Sequence, residues 1–219
     1  SAASGHLDVV VWLHENRAEG CTADAMDCAA AHGHLDVVRW LHQNRPEGCS
    51  TLAMDNAAAT GNYEVLVWLH ENRMEGATTG AMDRATAGGF LRVDRWLHTT
   101  RSEGCTVAAM DGAAANNHLR LVQSLHHIRV EGCTPSAMDT AAMAAATPTL
   151  QFLRRGRTEG CTRSGFRWSV ASGNLHIARW LALYYPLSFD AGAVASAAAE
   201  YGWTSEIIRV AFAIDLVTP

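Results

Sequence analysis

A Glu-Gly pair recurs at Glu19, Glu47, Glu75, Glu103, Glu131 and Glu159, each 28 residues after the last. The phrase "AMD" keeps the same step from Ala25, Ala53, Ala81, Ala109 and Ala137, and "LH" from Leu13, Leu41, Leu69, Leu97 and Leu125. Six copies hold this period with no insertion; a seventh begins at Gly173 and carries one extra residue before Gly202. A strict period of this length constrains the fold more than any composition does. Each copy is one small structural piece that buries its apolar face only by stacking on its neighbours.

Each copy reads as two helices. Thr22, Ser50, Thr78, Thr106, Thr134, Thr162 and Asp190 stand where helix N-caps are expected, because their side-chain oxygens can accept an orphan backbone N–H. Pro135 follows Thr134 at the favoured first helical position. First helices are therefore expected at 22–32, 50–60, 78–88, 106–116, 134–144, 162–172 and 190–201. Gly33, Gly61, Gly89, Gly173 and Gly202 mark the turn, with Asn117 and Ala145 in their place in two copies. Second helices follow from near Leu7, Leu35, Tyr63, Leu91, Leu119, Leu150, Leu175 and Trp203. The Leu150 start is shifted because Thr147-Pro148 reads as a cap with a first-turn proline.

The formal charge of −5 argues against a nucleic-acid partner, since phosphate binding needs a basic face. No apolar run approaches the roughly 18 residues that would span a membrane, so no membrane partner is expected. Cys21, Cys49, Cys105, Cys133 and Cys161 share one repeat position; Cys28 lies outside it. Equivalent positions of a stacked array are about 10 Å apart, beyond the roughly 7 Å that a disulfide tolerates. Free thiols favour a cytoplasmic or nuclear location. No zinc spacing, nucleophile–base pair or phosphate loop is present, so no catalysis, metal or cofactor is expected.

The stretch "AAAHGHLDVVRWLHQN" resembles the ankyrin repeat, through Ala29, Ala30, Gly33, His34, Leu35, Asp36, Val37, Val38 and Leu41. The short unit looks most like those of oomycete and other protist proteins, which leaves open a role inside a host cell. The resemblance implies an all-α, ankyrin-like solenoid over residues 1–219, with units starting near 5, 33, 61, 89, 117, 145 and 173 and a terminal helix from 203. Two departures matter. The usual unit has about 33 residues and begins its first helix with "TPLH"; here there are 28, and Asp27 and its equivalents occupy the His position. The missing residues are those of the projecting β-hairpin, so loops without strands are expected. Ser1 falls inside a copy, from which a fragment of a longer protein is expected.

Four columns look reactive but read as scaffold. His14, His42, His70, His98 and His126 sit near helix C-termini, where the dipole favours them. Asp27, Asp55, Asp83, Asp111 and Asp139 are too far apart to share a substrate atom, and contacts from the Arg17-to-Arg157 column are expected to offset their charge. Trp12, Trp40, Trp68, Trp96 and Trp180 share a face with Val and Leu and read as core. Met26 and its equivalents read as core fillers.

Specificity must lie where the copies differ. On the first helix, Ala25, Met26, Ala29 and Ala30 form the inward stripe, leaving positions 24, 27, 28 and 31 outside. Position 28 varies most: Cys28, Asn56, Arg84, Gly112, Thr140, Trp168, Ser196. In ankyrin-type arrays this helix lines the concave side. The resemblance therefore implies a monomeric scaffold gripping another protein through Asp24, Cys28, Leu52, Asn56, Arg84, Asn116, Thr140 and Trp168. The alternative is an architectural spacer or self-associating array within a larger protein.

Overall fold

The computed structural model describes residues 1–17 and 20–202. Expectations placed on Glu19 and on a terminal helix from Trp203 lie outside them. The described residues are helical throughout, with no strand. First helices are α2 (Asp24–Ala31), α4 (Thr51–Ala59), α6 (Thr79–Ala87), α8 (Val107–Ala115), α10 (Pro135–Met143), α12 (Arg163–Ala171) and α14 (Ala191–Glu200). Second helices are α1 (Leu7–Asn16), α3 (Leu35–Asn44), α5 (Tyr63–Asn72), α7 (Leu91–Thr100), α9 (Leu119–Ile128), α11 (Thr147–Gly156) and α13 (Leu175–Tyr184). Backbone contacts group the chain into two compact units, 1–109 and 110–219. In the first, α2 packs on α4 and α4 on α6; in the second, α10 packs on α12 and α12 on α14.

The caps follow the expected chemistry in five copies. The hydroxyls of Ser50, Thr78, Thr106, Thr134 and Thr162 each accept from the backbone N–H two residues on, at 3.0–3.1 Å. The first copy differs: Ala23 is the N-cap, and Thr22 turns its hydroxyl to donate to Asp24 at 3.0 Å. The shifted start at Leu150 is also corrected. Thr147 is the first residue of α11, Ala146 caps it without a side-chain bond, and Pro148 sits in the first turn. Proline is tolerated there because first-turn N–H groups have no intrahelical partner anyway, so the 28-residue step is kept.

Each turn between paired helices needs a left-handed residue. Gly61 has φ +76°, and a Cβ there would collide with the Phe90 ring. Asn117 and Ala145 adopt the same region at +58° and +53°. Asparagine tolerates it; alanine pays for its Cβ. The Glu-Gly glycines form a second such column, exemplified by Gly48 at +70°.

The core is aliphatic and small. Ala29, Ala30, Ala57, Ala58, Ala113, Ala114, Ala141 and Ala142 are fully buried on the first helices, with Met26, Met54, Met82, Met110 and Met138 beside them. Val37, Val38, Leu41 and their equivalents close the layer from the second helices. Alanine lets first helices approach closely, and methionine fills the uneven space between them. The tryptophans are not core. Trp40, Trp68 and Trp96 are half-buried, and Trp12 is 55% exposed. Each of the first three lies edge-on to the histidine of the preceding copy, with ring centres 5.2 Å apart.

Candidate recognition surface

The columns that look reactive are bonded to one another across copies. Asp27, Asp55, Asp83, Asp111 and Asp139 each accept two hydrogen bonds from the cap residue of the next copy. The backbone N–H donates at 2.7–2.9 Å and the hydroxyl at 2.5–2.7 Å. The expectation that this aspartate faces outward is therefore corrected: Asp27, Asp55 and Asp139 are buried. A buried carboxylate must be hydrogen-bonded, and the next cap supplies the donors. For Asp139, burial wins over the bonds from Thr162 and Gly165 and pushes its carboxyl above the ordinary range.

The observed ion pairs of the arginine column do not run to these aspartates. Arg45, Arg73, Arg101, Arg129 and Arg157 instead pair with the glutamate two residues on, as in Arg45–Glu47 at 2.7 Å. Partial burial works to raise the carboxyls of Glu75, Glu103, Glu131 and Glu159. The arginine and nearby backbone N–H groups outweigh it, and all four lie below their ordinary value. The same guanidinium tips contact the histidines of the preceding copy. Nδ1 of His14, His42 and His70 accepts from Arg45, Arg73 and Arg101 at 3.1–3.2 Å. Arginine is donor-only, so the ring nitrogen is the acceptor in each of these contacts.

All six cysteines are free. Cys49, Cys105, Cys133 and Cys161 are buried, and burial pushes the Cys49 and Cys133 thiols up to about 11 and that of Cys161 to about 12. These are inert thiols. Among the described residues no three His, Cys, Asp or Glu side chains converge to hold a metal ion, and no helix is long and apolar enough to cross a membrane.

The residues expected to touch a partner lie on the first helices or at their ends. In the 1–109 unit, Asp24 and Cys28 on α2 are exposed, as is Leu52 on α4, at 49%. Asn56 is half-buried beside it. Arg84 on α6 is 47% exposed but also donates to buried Asp55 at 3.0 Å, so it serves the junction as well as the surface. In the 110–219 unit, Asn116 is exposed at the end of α8 with its amide donating to the Gly112 carbonyl. Thr140 is half-buried on α10, its hydroxyl returned to the Ser136 carbonyl. Trp168 on α12 is 37% exposed. The structure also leaves Met143 on α10 and Arg163 and Arg167 on α12 exposed. Arg167 was findable from the repeat, because it replaces the column aspartate. Arg163 pairs with Asp190 at 3.3 Å and Arg167 with Glu200 at 3.5 Å.

Constant buried columns, variable outer positions and paired helices define a helical-repeat protein. Residues 2–42 and 26–70 match a family model described as ankyrin repeats (many copies), so the first third of the chain carries ankyrin repeats. The later copies continue the same helix pair at the same 28-residue step. No curated protein matches the chain. Ankyrin repeats generally serve as protein–protein interaction modules and are typically non-catalytic.

Proposed function

We propose that the chain binds a protein partner on the outer face of its first helices, through Leu52 and Asn56 in the 1–109 unit and Trp168 with Arg163 in the 110–219 unit. One observation carries this reading. On a single helix type, inward positions repeat Ala, Met and bonded Asp, whereas outward positions differ in nearly every copy. Inward constancy makes the copies dock on each other, and outward variation makes the surface particular. Trp and Arg are the residue types most enriched where truncation costs binding energy.

Trp168→Ala and Leu52→Ser are the informative substitutions. Arg84→Ala is less so, because it also strips a cation from buried Asp55. Partner capture by the intact chain, compared with each variant, should fall by about 1–3 kcal/mol per hot spot with the helical circular-dichroism spectrum unchanged. Capture that ignores both substitutions would move the binding face elsewhere. Orderly self-association in place of capture would favour an architectural array.

A further inference from the structure

The second helices of the two units differ sharply in charge. In the 1–109 unit, α1, α3, α5 and α7 carry Asp8, Glu15, Asp36, Glu64, Glu71 and Asp94 against three arginines. In the 110–219 unit, α9, α11 and α13 contain no carboxylate at all, and they carry Arg120, Arg154, Arg155 and Arg179 with three histidines. This occurs in a chain of formal charge −5.

These cations share one surface. α9 packs on α11, and the Arg154 guanidinium lies over the Tyr184 ring at 4.0 Å, tying α11 to α13. Arg120, Arg154, Arg155 and Arg179 are exposed, as are His127 and His176. Among the described residues Arg120, Arg155 and Arg179 have no ion-pair partner. Arg39 and Arg95 on α3 and α7 likewise lack an ion pair among the described residues, but carboxylates on those same helices offset their charge. On α9, α11 and α13 no carboxylate does so, which leaves a local excess of positive charge that attracts an anionic segment. Ile128 and Leu183 stand beside the row at 43% and 71% exposure, so the face offers both charge and apolar contact.

We infer that this second-helix face of residues 119–184 is a docking site for an acidic segment of a partner protein, distinct from the first-helix face. Its carboxylates would lie across Arg120, Arg155 and Arg179, and an aliphatic or aromatic side chain would rest on Ile128 or Leu183. Guanidinium suits this occupant, because its planar fork matches a carboxylate with two parallel hydrogen bonds. A short segment fits better than a long polyanion. The chain as a whole carries a formal charge of −5, so an extended polyanion such as nucleic acid or an anionic bilayer is repelled by the rest of the protein.

The test uses the full chain and a fluorescein-labelled Glu/Asp-rich peptide of about twelve residues with one central Leu, followed by anisotropy at about 50 and about 300 mM salt. Binding should weaken with salt, and Arg155→Glu/Arg179→Glu should weaken it about tenfold or more, while Trp168→Ala leaves it unchanged. Both arginines are exposed, and circular dichroism checks that the double variant stays folded. No binding at low salt, or equal binding by the double variant, would overturn the inference. Tighter binding of an oligo-dT strand or phosphatidylserine vesicles than of the peptide would overturn it in favour of a phosphate-bearing partner. Loss of binding in Trp168→Ala alone would return the peptide to the first-helix face.

Discussion

Ala145 is the residue at which the repeat is least comfortable. Its φ of +53° costs an L side chain about 1–2 kcal/mol, which glycine avoids. Glycine in turn loses about 0.5–1 kcal/mol through the freedom of the unfolded chain. Ala145→Gly should therefore stabilise by a few tenths to about 1 kcal/mol in urea unfolding. Gly61→Ala should do the reverse and more strongly, because its Cβ also strikes Phe90. A stabilised Gly61→Ala protein would contradict the turn geometry. The thiols offer a second check. A water-soluble thiol reagent should modify exposed Cys28 first and half-buried Cys21 next. Cys49, Cys105, Cys133 and Cys161 should wait for denaturant, since they are buried and those with shifted thiols are pushed upward. Under denaturing, non-reducing conditions all six should titrate.

Between helices, the Thr–Asp junction is the most economical contact in the molecule. The Thr78 hydroxyl caps α4's neighbour α6 through Gly80 and at the same time donates to Asp55 in the copy before. Thr78→Ala removes a cap worth about 1 kcal/mol and takes one donor from a buried carboxylate, which costs about 1–3 kcal/mol more. The expected loss is about 2–4 kcal/mol; Thr78→Ser should restore most of it. Trp68→Ala should cost about 2–3 kcal/mol, less than a core aromatic, because Trp68 is half-buried and packs edge-on to His42. The Arg–Glu pairs predict a pH dependence. Glu75, Glu103, Glu131 and Glu159 have folded values below their ordinary 4.5. The unfolded chain then binds more protons, so their contribution is full above about 4.5 and is lost as pH falls through the folded values. Asp139 is raised and works in the opposite sense above its ordinary 3.8. Glu47 is lowered as well, so five groups stand against one, and the urea midpoint should drop between about pH 6 and about pH 3.5. Glu75→Gln should shrink that drop.

Across the full chain, the period made the helix pairs and their limits readable. The caps, the turn glycines and the 28-residue step are local chemistry: each depends on residues a few positions apart, and such signals survive in a linear string. The face assignment was half readable. Alanine and methionine marked the inward stripe, and the variable position 28 marked the outward one. Asp55 and its column were misplaced outward because an isolated carboxylate looks solvent-seeking. Burial becomes tolerable only when the next copy's cap N–H and hydroxyl arrive 23 residues later, and that distance in sequence carries no local mark. The pairing of Arg73 with Glu75 rather than Asp55, the edge contact that keeps Trp68 half-exposed, and the unpaired arginine row on α9, α11 and α13 were settled the same way. Each depends on which side chains the stacking register brings within about 4 Å, and that register exists only once neighbouring copies have docked.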